Sequence, residues 1–423
     1  MIEKVKKILK ANKSVLSNFS YLSAMQVFNL ALPLLTYPYL IRVLGKEAYG
    51  LVIFAQAIIS YFMILVSFGF NMSATKEVSV HRDDKEKLSE IVSSIYIIKG
   101  VLLIASFIVL LIAAELTEIA KGYNSLFYLT FWICWYEWIF PLWYFQGIEK
   151  MKFITFITLL SRLIFVALIF ILIQNENDFL FYPIINGIGA LISGVISLYI
   201  VFFKHQIKFK FPKLKTLSYY LKESAPIFVS QVSIKIYVNS NKVIIGSLLG
   251  LQEVAYYDLA EKMVTVLKTP QGILGQALFP KISKDKDVLF VRRVFKISVL
   301  FNVTLFLIML IFVKPLVLLL GGIDMTPAIP IVIILGLTAP IVAMSNVFGV
   351  QLLIPFGYNK AFSKVILMSG LVYLLLVGVT WTFIDMSIEL ISTITVLTEL
   401  YVTLYMFHHV LKYNLWKKRN MII

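Results

Sequence analysis

Apolar residues in this chain come in long unbroken runs, not in the three-and-four spacing of a helix with one wet face. Twelve such runs recur, at 15–40, 51–74, 91–114, 124–146, 153–174, 179–203, 224–249, 258–280, 294–320, 327–352, 361–384 and 388–411. A hydrocarbon core of about 30 Å is crossed by about 20 helical residues, so each run is long enough to span a bilayer. Membrane barrels instead show alternating strands of ~10 residues, and stretches such as Val101–Ala114 have no alternation. The pattern predicts an all-α integral membrane protein of about twelve transmembrane helices. The first run follows a basic stretch, Met1–Lys13, is too long for a signal-peptide core and has no small-residue cleavage site, so it is expected to remain as a span.

The polar breaks carry a second pattern. Taken alternately, the breaks on one side hold 29 of the 39 lysines and arginines, those on the other hold only Arg42, Lys46 and Lys121, and seven lie in or at the ends of spans. Such a bias through an even number of spans puts both termini in the cytoplasm. The largest break, Phe203–Glu223, lies near the midpoint and divides the chain into six-helix lobes at 1–210 and 211–423. An internal echo accompanies the division: Leu44-Gly45-Lys46-Glu47-Ala48-Tyr49 after the first span resembles Leu249-Gly250-Leu251-Gln252-Glu253-Val254-Ala255-Tyr256 after the seventh. Six spans per copy make these parallel repeats.

Composition excludes whole classes. The 423 residues are 60% apolar and 15% charged, against about 25% charged in a soluble domain. The net charge of +16 sits mainly in short loops, where anionic headgroups and not nucleic acid are the natural partner. One cysteine, Cys134, forms no disulfide framework and no Cys-based zinc site, and His81, His205, His408 and His409 have no ligand spacing, so no metal or other cofactor is expected. No GxxxxGK[ST] loop is present, so ATP is not the direct energy source.

The candidate chemistry lies in charges within the spans, each of which costs about 2.5–3.5 kcal/mol to insert. The seventh span carries Gln231, Lys235, Asn239 and Lys242 on one stripe, and the eighth carries Glu261, Lys262, Thr265 and Lys268. In the first half, Thr155, Thr158 and Arg162 share a face of the fifth span and Lys99 lies in the third, while Gln26 and Asn29 on the first span and Gln56 on the second add neutral polar groups. Together these describe a positively biased polar cleft between the halves. Ammonium and guanidinium groups in low dielectric attract phosphate oxygens strongly, so the set Lys235, Lys242, Lys262, Lys268, Arg162 and Lys99 is assigned to a diphosphate headgroup. The competing reading is that some of these charges snorkel or pair internally, Glu261 with Lys268 or Lys262. Glu137, Glu261 and Glu399 are candidates for ion coupling or charge pairing. Trp132, Trp135, Trp138 and Trp143 crowd the fourth span, as an interfacial aromatic belt or as a stacking surface for sugar rings.

Three stretches carry a family resemblance: Leu34 through Gly50 (LLTYPYLIRVLGKEAYG), Phe68 through Thr75 (FGFNMSAT) and Trp143 through Met151 (WYFQGIEKM), with a fourth match from Gly250 to Lys262. They are similar to the Wzx-type O-antigen flippases of the polysaccharide transporter family, in the multidrug/oligosaccharidyl-lipid/polysaccharide exporter superfamily. The resemblance implies a MATE-like V of two six-helix lobes that alternate between inward-open and outward-open states in the bacterial inner membrane. It implies a transporter and not an enzyme, acting in lipopolysaccharide O-antigen biosynthesis. Its cargo would be an undecaprenyl-pyrophosphate-linked oligosaccharide, moved from the cytoplasmic to the periplasmic leaflet. The membrane potential, or a coupled H+ or Na+, would drive the movement, with O-antigen polymerase and chain-length regulator as further partners. Two related alternatives are a multidrug/cation antiporter, which the excess of intramembrane cations disfavours, and an exporter of capsule or exopolysaccharide units. A polymerase or glycosyltransferase would need a large outer-side loop, and a passive scaffold would leave the buried charge without a purpose.

Overall fold

The computed structural model describes residues 13–116 and 122–416. Among these the chain is helical throughout, with no strand. The first element, α1 (Lys13–Ser67), is two helices in one: Gly45, at φ 70° and ψ 168°, breaks it where no other residue sits comfortably. After a second break at Phe68–Gly69 follow α2 (Phe70–Val80), α3 (Lys85–Leu116), the short α4 (Asn124–Thr130), α5 (Trp132–Ile139) and α6 (Leu142–Gly147), then α7 (Met151–Leu172) and α8 (Phe181–Tyr199). A π-helical turn, Ile200–Lys204, ends α8. The second half runs through α9 (Leu214–Leu248), α10 (Leu251–Asp285), α11 (Val288–Gly321), α12 (Ala328–Gly336), α13 (Thr338–Asn346), α14 (Asn359–Phe383) and α15 (Ile388–Lys412).

Among the described residues eight stretches are long and apolar enough to cross a membrane: Leu35–Val80, Lys85–Glu115, Lys152–Leu172, Glu176–Lys204, Val288–Gly321, Ala328–Leu353, Asn359–Phe383 and Ile388–Lys412. The other four expected spans are the helix ahead of the Gly45 break, the α4–α6 segment, α9 and α10. The α4–α6 segment falls short because it is broken into pieces, and α9 and α10 because they carry polar and charged residues, while most side chains of the first expected span lie outside the described residues. Large apolar side chains stand exposed on several helices, among them Val101, Ile104, Leu300, Ile311, Leu319 and Leu375, as a lipid-facing surface requires.

The chain forms two compact units, one of residues 1–48 and 55–232 and the other of residues 49–54 and 233–423. The changeover falls inside α9, after Val232, and not in the polar linker. The N-terminal unit is built on a core that includes Phe70, Val78, Ile91, Ile95, Trp143 and Phe145. In the C-terminal unit Val291, Val347, Leu352, Val365 and Val410 do the same. The segment 49–54 joins the C-terminal unit by direct backbone approach: a Cβ on Gly50 would lie 1.8 Å from the carbonyl oxygen of Leu251. The sequence echo has a conformational counterpart, because Gly250 breaks the path between α9 and α10 at φ 127° and ψ 168°, close to the ψ of Gly45.

The fourth expected span shows why a Trp-rich apolar run need not be one helix. Pro141 has no N–H, so the carbonyl four residues earlier, that of Glu137, has no helical donor. Lys99 of α3 donates to that oxygen and also meets the Glu137 carboxylate at 3.0 Å. One turn earlier on α3, the Tyr96 hydroxyl donates to the carbonyl of Ile139 at 3.1 Å, and the Trp138 indole donates to the carbonyl of Tyr96 at 3.0 Å. The Glu137 and Ile139 carbonyls at the break are thus both served by one neighbouring helix. The aromatic-belt expectation is corrected here: of the four tryptophans only Trp135 is exposed, Trp143 is in the core, and Trp138 is tied to α3. A broken helix turns its side chains inward at angles that a straight span does not.

Candidate functional site

The intramembrane charges separate into paired and unpaired groups. In the C-terminal unit the organising residue is Asp258, fully buried on α10. Its Oδ2 accepts from Lys262 one turn later at 2.5 Å and from the Tyr49 hydroxyl at 2.6 Å, while Oδ1 forms an ion pair with Lys242 of α9 at 2.8 Å. Lys242 also pairs with Glu261 at 2.6 Å, and Lys262 donates to the Tyr49 oxygen at 3.0 Å. Two lysines and two carboxylates neutralise one another, which offsets the desolvation that each suffers. Glu261 is therefore paired with Lys242 and not with Lys262 or Lys268, because the adjacent Lys262 points about 100° away and Lys268 lies two turns, about 10 Å, along the helix.

Lys235 and Lys268 are different. Both are half-buried and neither forms an ion pair or hydrogen bond with a described residue, although Lys268 lies within electrostatic reach of Glu399 and then Glu261, and Lys235 of Glu261. Lys268 and Glu399 line one small cavity of about 140 Å³ together with Asn241, Tyr257, Glu261, Thr338 and Thr395. Asn241 is locked there, donating to Tyr257 at 2.6 Å and Thr395 at 2.8 Å and accepting from Tyr373 at 2.6 Å. Gln231 and Asn239 are half-buried on α9.

In the N-terminal unit, Lys99 is 1% exposed and wholly engaged with Glu137, whose carboxylate also accepts from Asn71 at 3.1 Å. Neither residue is offered to a ligand in this structure. Arg162 and Gln56 instead line a larger cavity of about 400 Å³, with Trp132, Tyr136, Thr158, Ser161, Tyr182 and Asn186 around it. Arg162 makes no ion pair or hydrogen bond to a described residue. Gln26 and Asn29 lie on α1, but their side chains are outside the described residues. The expected six-cation set is thus distributed: Lys242 and Lys262 share Asp258, Lys99 is tied to Glu137, and Lys235, Lys268 and Arg162 stand unpaired. Asp258 is the residue that reading by stripe overlooks, although its i, i+4 spacing to Lys262 is a pairing signal.

A many-span helical fold with charge gathered inside its spans is an architecture that solved structures share. An inward-facing multidrug resistance MATE family transporter superposes with a TM-score of 0.73 at 12% identity, covering 92% of this chain and 96% of the other. The lipid II flippase MurJ in its inward closed conformation gives 0.70 at 15% identity, covering 92% and 87%. The chain belongs to the polysaccharide biosynthesis protein family, whose sequence model matches residues 15–286. A relative in Escherichia coli strain K12, named "Putative O-antigen transporter", is 30% identical over 412 residues, which is 93% of this chain and 97% of that protein. The molecule is a multi-pass membrane protein with a MATE-like fold.

Proposed function

We propose that this chain is a flippase for undecaprenyl-pyrophosphate-linked O-antigen units, carrying them from the cytoplasmic to the periplasmic leaflet of a bacterial inner membrane by alternating access. The observation that carries this reading beyond the family is the pair of half-buried lysines in α9 and α10, Lys235 and Lys268, that no carboxylate neutralises by contact. A cation exporter would have no use for them, whereas a diphosphate headgroup supplies the missing counter-charge. Lys242 and Lys262, held by Asp258, keep the surrounding scaffold rigid. The polyprenyl tail stays in lipid. With the cell interior negative, outward movement of an anion is favoured by about 2.3 kcal/mol per charge per 100 mV. Glu399, beside Lys268, is the group we assign to proton or sodium coupling if the potential is not sufficient. Polymerase and chain-length regulator, acting on the product outside, are the natural partners.

The test is deletion and complementation in the source organism. Lipid-linked O-units accumulate on the cytoplasmic leaflet when the gene is removed, and export returns when it alone is restored. In that strain Lys235→Gln with Lys268→Gln lowers export at least tenfold while the protein still reaches the membrane. Wild-type export by the double variant would remove the headgroup assignment, and unchanged leaflet distribution on deletion would remove the flippase reading.

A further inference from the structure

The cavity between α1, α5, α7 and α8 holds a single formal charge. Arg162 has no partner among the described residues, and none of the lining residues is an Asp or Glu. A guanidinium in a membrane-spanning helix without a counter-charge is costly, so an anion from outside the chain is what completes this site. The lining identifies the anion. A diphosphate presents charge around two tetrahedra and calls for several cations; one planar guanidinium fork matches a single carboxylate, bidentately.

The remaining wall is neutral. Trp132 is seated against α8 where Gly187 leaves bare backbone, since a Cβ there would lie 2.9 Å from the indole Cγ. A larger residue at 187 would push the ring off this wall. Gln56 and Asn186 supply amides, and Ser161, which donates to the carbonyl of Gly189 at 2.8 Å, keeps its lone pairs for an incoming hydroxyl. An aromatic face beside amide and hydroxyl groups is the complement of a pyranose ring, which has an apolar face and a rim of hydroxyls. At about 400 Å³ the cavity falls at the small end of ligand pockets, about 300–1,000 Å³, so it suits a sugar ring and not a whole repeat unit.

We propose that this cavity is a monosaccharide subsite selective for a sugar acid, with the sugar carboxylate on Arg162, the ring on Trp132 and hydroxyls on Gln56 and Asn186. The assignment rests on the reading above that the cargo is a lipid-linked glycan, and adds to it that the glycan carries a uronate or similar acidic sugar.

The experiment titrates the purified full-length chain with D-glucuronate, D-glucose and inorganic pyrophosphate, following tryptophan fluorescence. Glucuronate binds at least tenfold more tightly than glucose, and pyrophosphate does not displace it. Arg162→Gln abolishes the preference and leaves glucose binding within twofold. Arg162→Lys, which keeps the charge and loses the fork, falls between them, and an unchanged melting temperature shows that both variants are folded. Equal binding of glucuronate and glucose, displacement by pyrophosphate, or no saturable signal up to tens of millimolar would each overturn the subsite. Failure here with normal leaflet export in cells overturns only this assignment. Arg162-dependent glucuronate binding in a chain that exports no O-units overturns the flippase reading and leaves the subsite standing.

Discussion

Lys99 of α3 donates to the main-chain carbonyl of Glu137 and, at 3.0 Å, to the carboxylate of the same residue. One ammonium thereby meets both the charge of a buried acid and the acceptor that Pro141 leaves without a helical donor. This joins a sequence feature, a proline inside an apolar run, to the packing of α3 against α5.

Replacing Lys99 with Met should therefore cost about 3–5 kcal/mol, the range for breaking one side of a buried pair. In a thermal melt of the detergent-purified protein, Lys99→Met combined with Glu137→Gln recovers only part of the loss, because the carbonyl stays orphaned. Introducing Pro141→Ala into the Lys99→Met background recovers more of it, since residue 141 regains an N–H. Additive effects of the two substitutions would show that the carbonyl is not what Lys99 serves.

Asp258 accepts from Lys262 and Tyr49 and pairs with Lys242. Asp258→Asn leaves two buried ammonium groups short of charge and is expected to be more destabilising than Glu261→Gln, by several kcal/mol. Tyr49→Phe removes the hydrogen bond to Asp258 and the one from Lys262 but leaves both ion pairs of Asp258 in place, and costs about 1.5–3 kcal/mol. Melting temperatures should rank the variants in that order, with Tyr49→Phe the mildest.

Gly50 and Gly378 make a matched pair of tests. Alanine at 50 places a methyl carbon 1.8 Å from a backbone oxygen, whereas alanine at 378 meets no atom within 4 Å. Gly50→Ala should abolish accumulation of folded protein. Gly378→Ala, inside α14, should stabilise by about 0.5–1 kcal/mol. Yield of monodisperse protein and its melting temperature distinguish the two.

His205, just past the end of α8, is partly buried and surrounded by Lys150, Lys204 and Lys85; burial first and those charges second push its pKa down from 6.5 to about 4. Below about pH 6.5 the unfolded chain binds this proton and the folded chain does not, so stability falls as pH drops from about 6.5 to about 4. Above that window the contribution is fully present. His205→Gln should flatten the melting temperature across this interval, and an unchanged slope would reject the assignment to His205.

The architecture was legible in the sequence because lipid imposes a length and a charge rule on each span. The runs of apolar residues and the loop lysines needed no tertiary knowledge. The fate of individual charges was less legible. The Asp258–Lys262 pair is local and readable at i, i+4, whereas Lys242 and Tyr49 reach Asp258 from other helices, at angles no single stripe predicts. Pro141 was visible, but the helix that would answer its missing N–H was not. Gln56 and Arg162, expected on separate helices, meet in one cavity with Trp132.

The Tyr49–Asp258 contact joins residues 209 positions apart. A ribosome has therefore finished half the molecule before the segment at 49–54 can meet the surface it belongs to. Cutting the gene between its halves would strand this segment on the wrong fragment, and a second half made alone would lack the hydroxyl that Asp258 and Lys262 share.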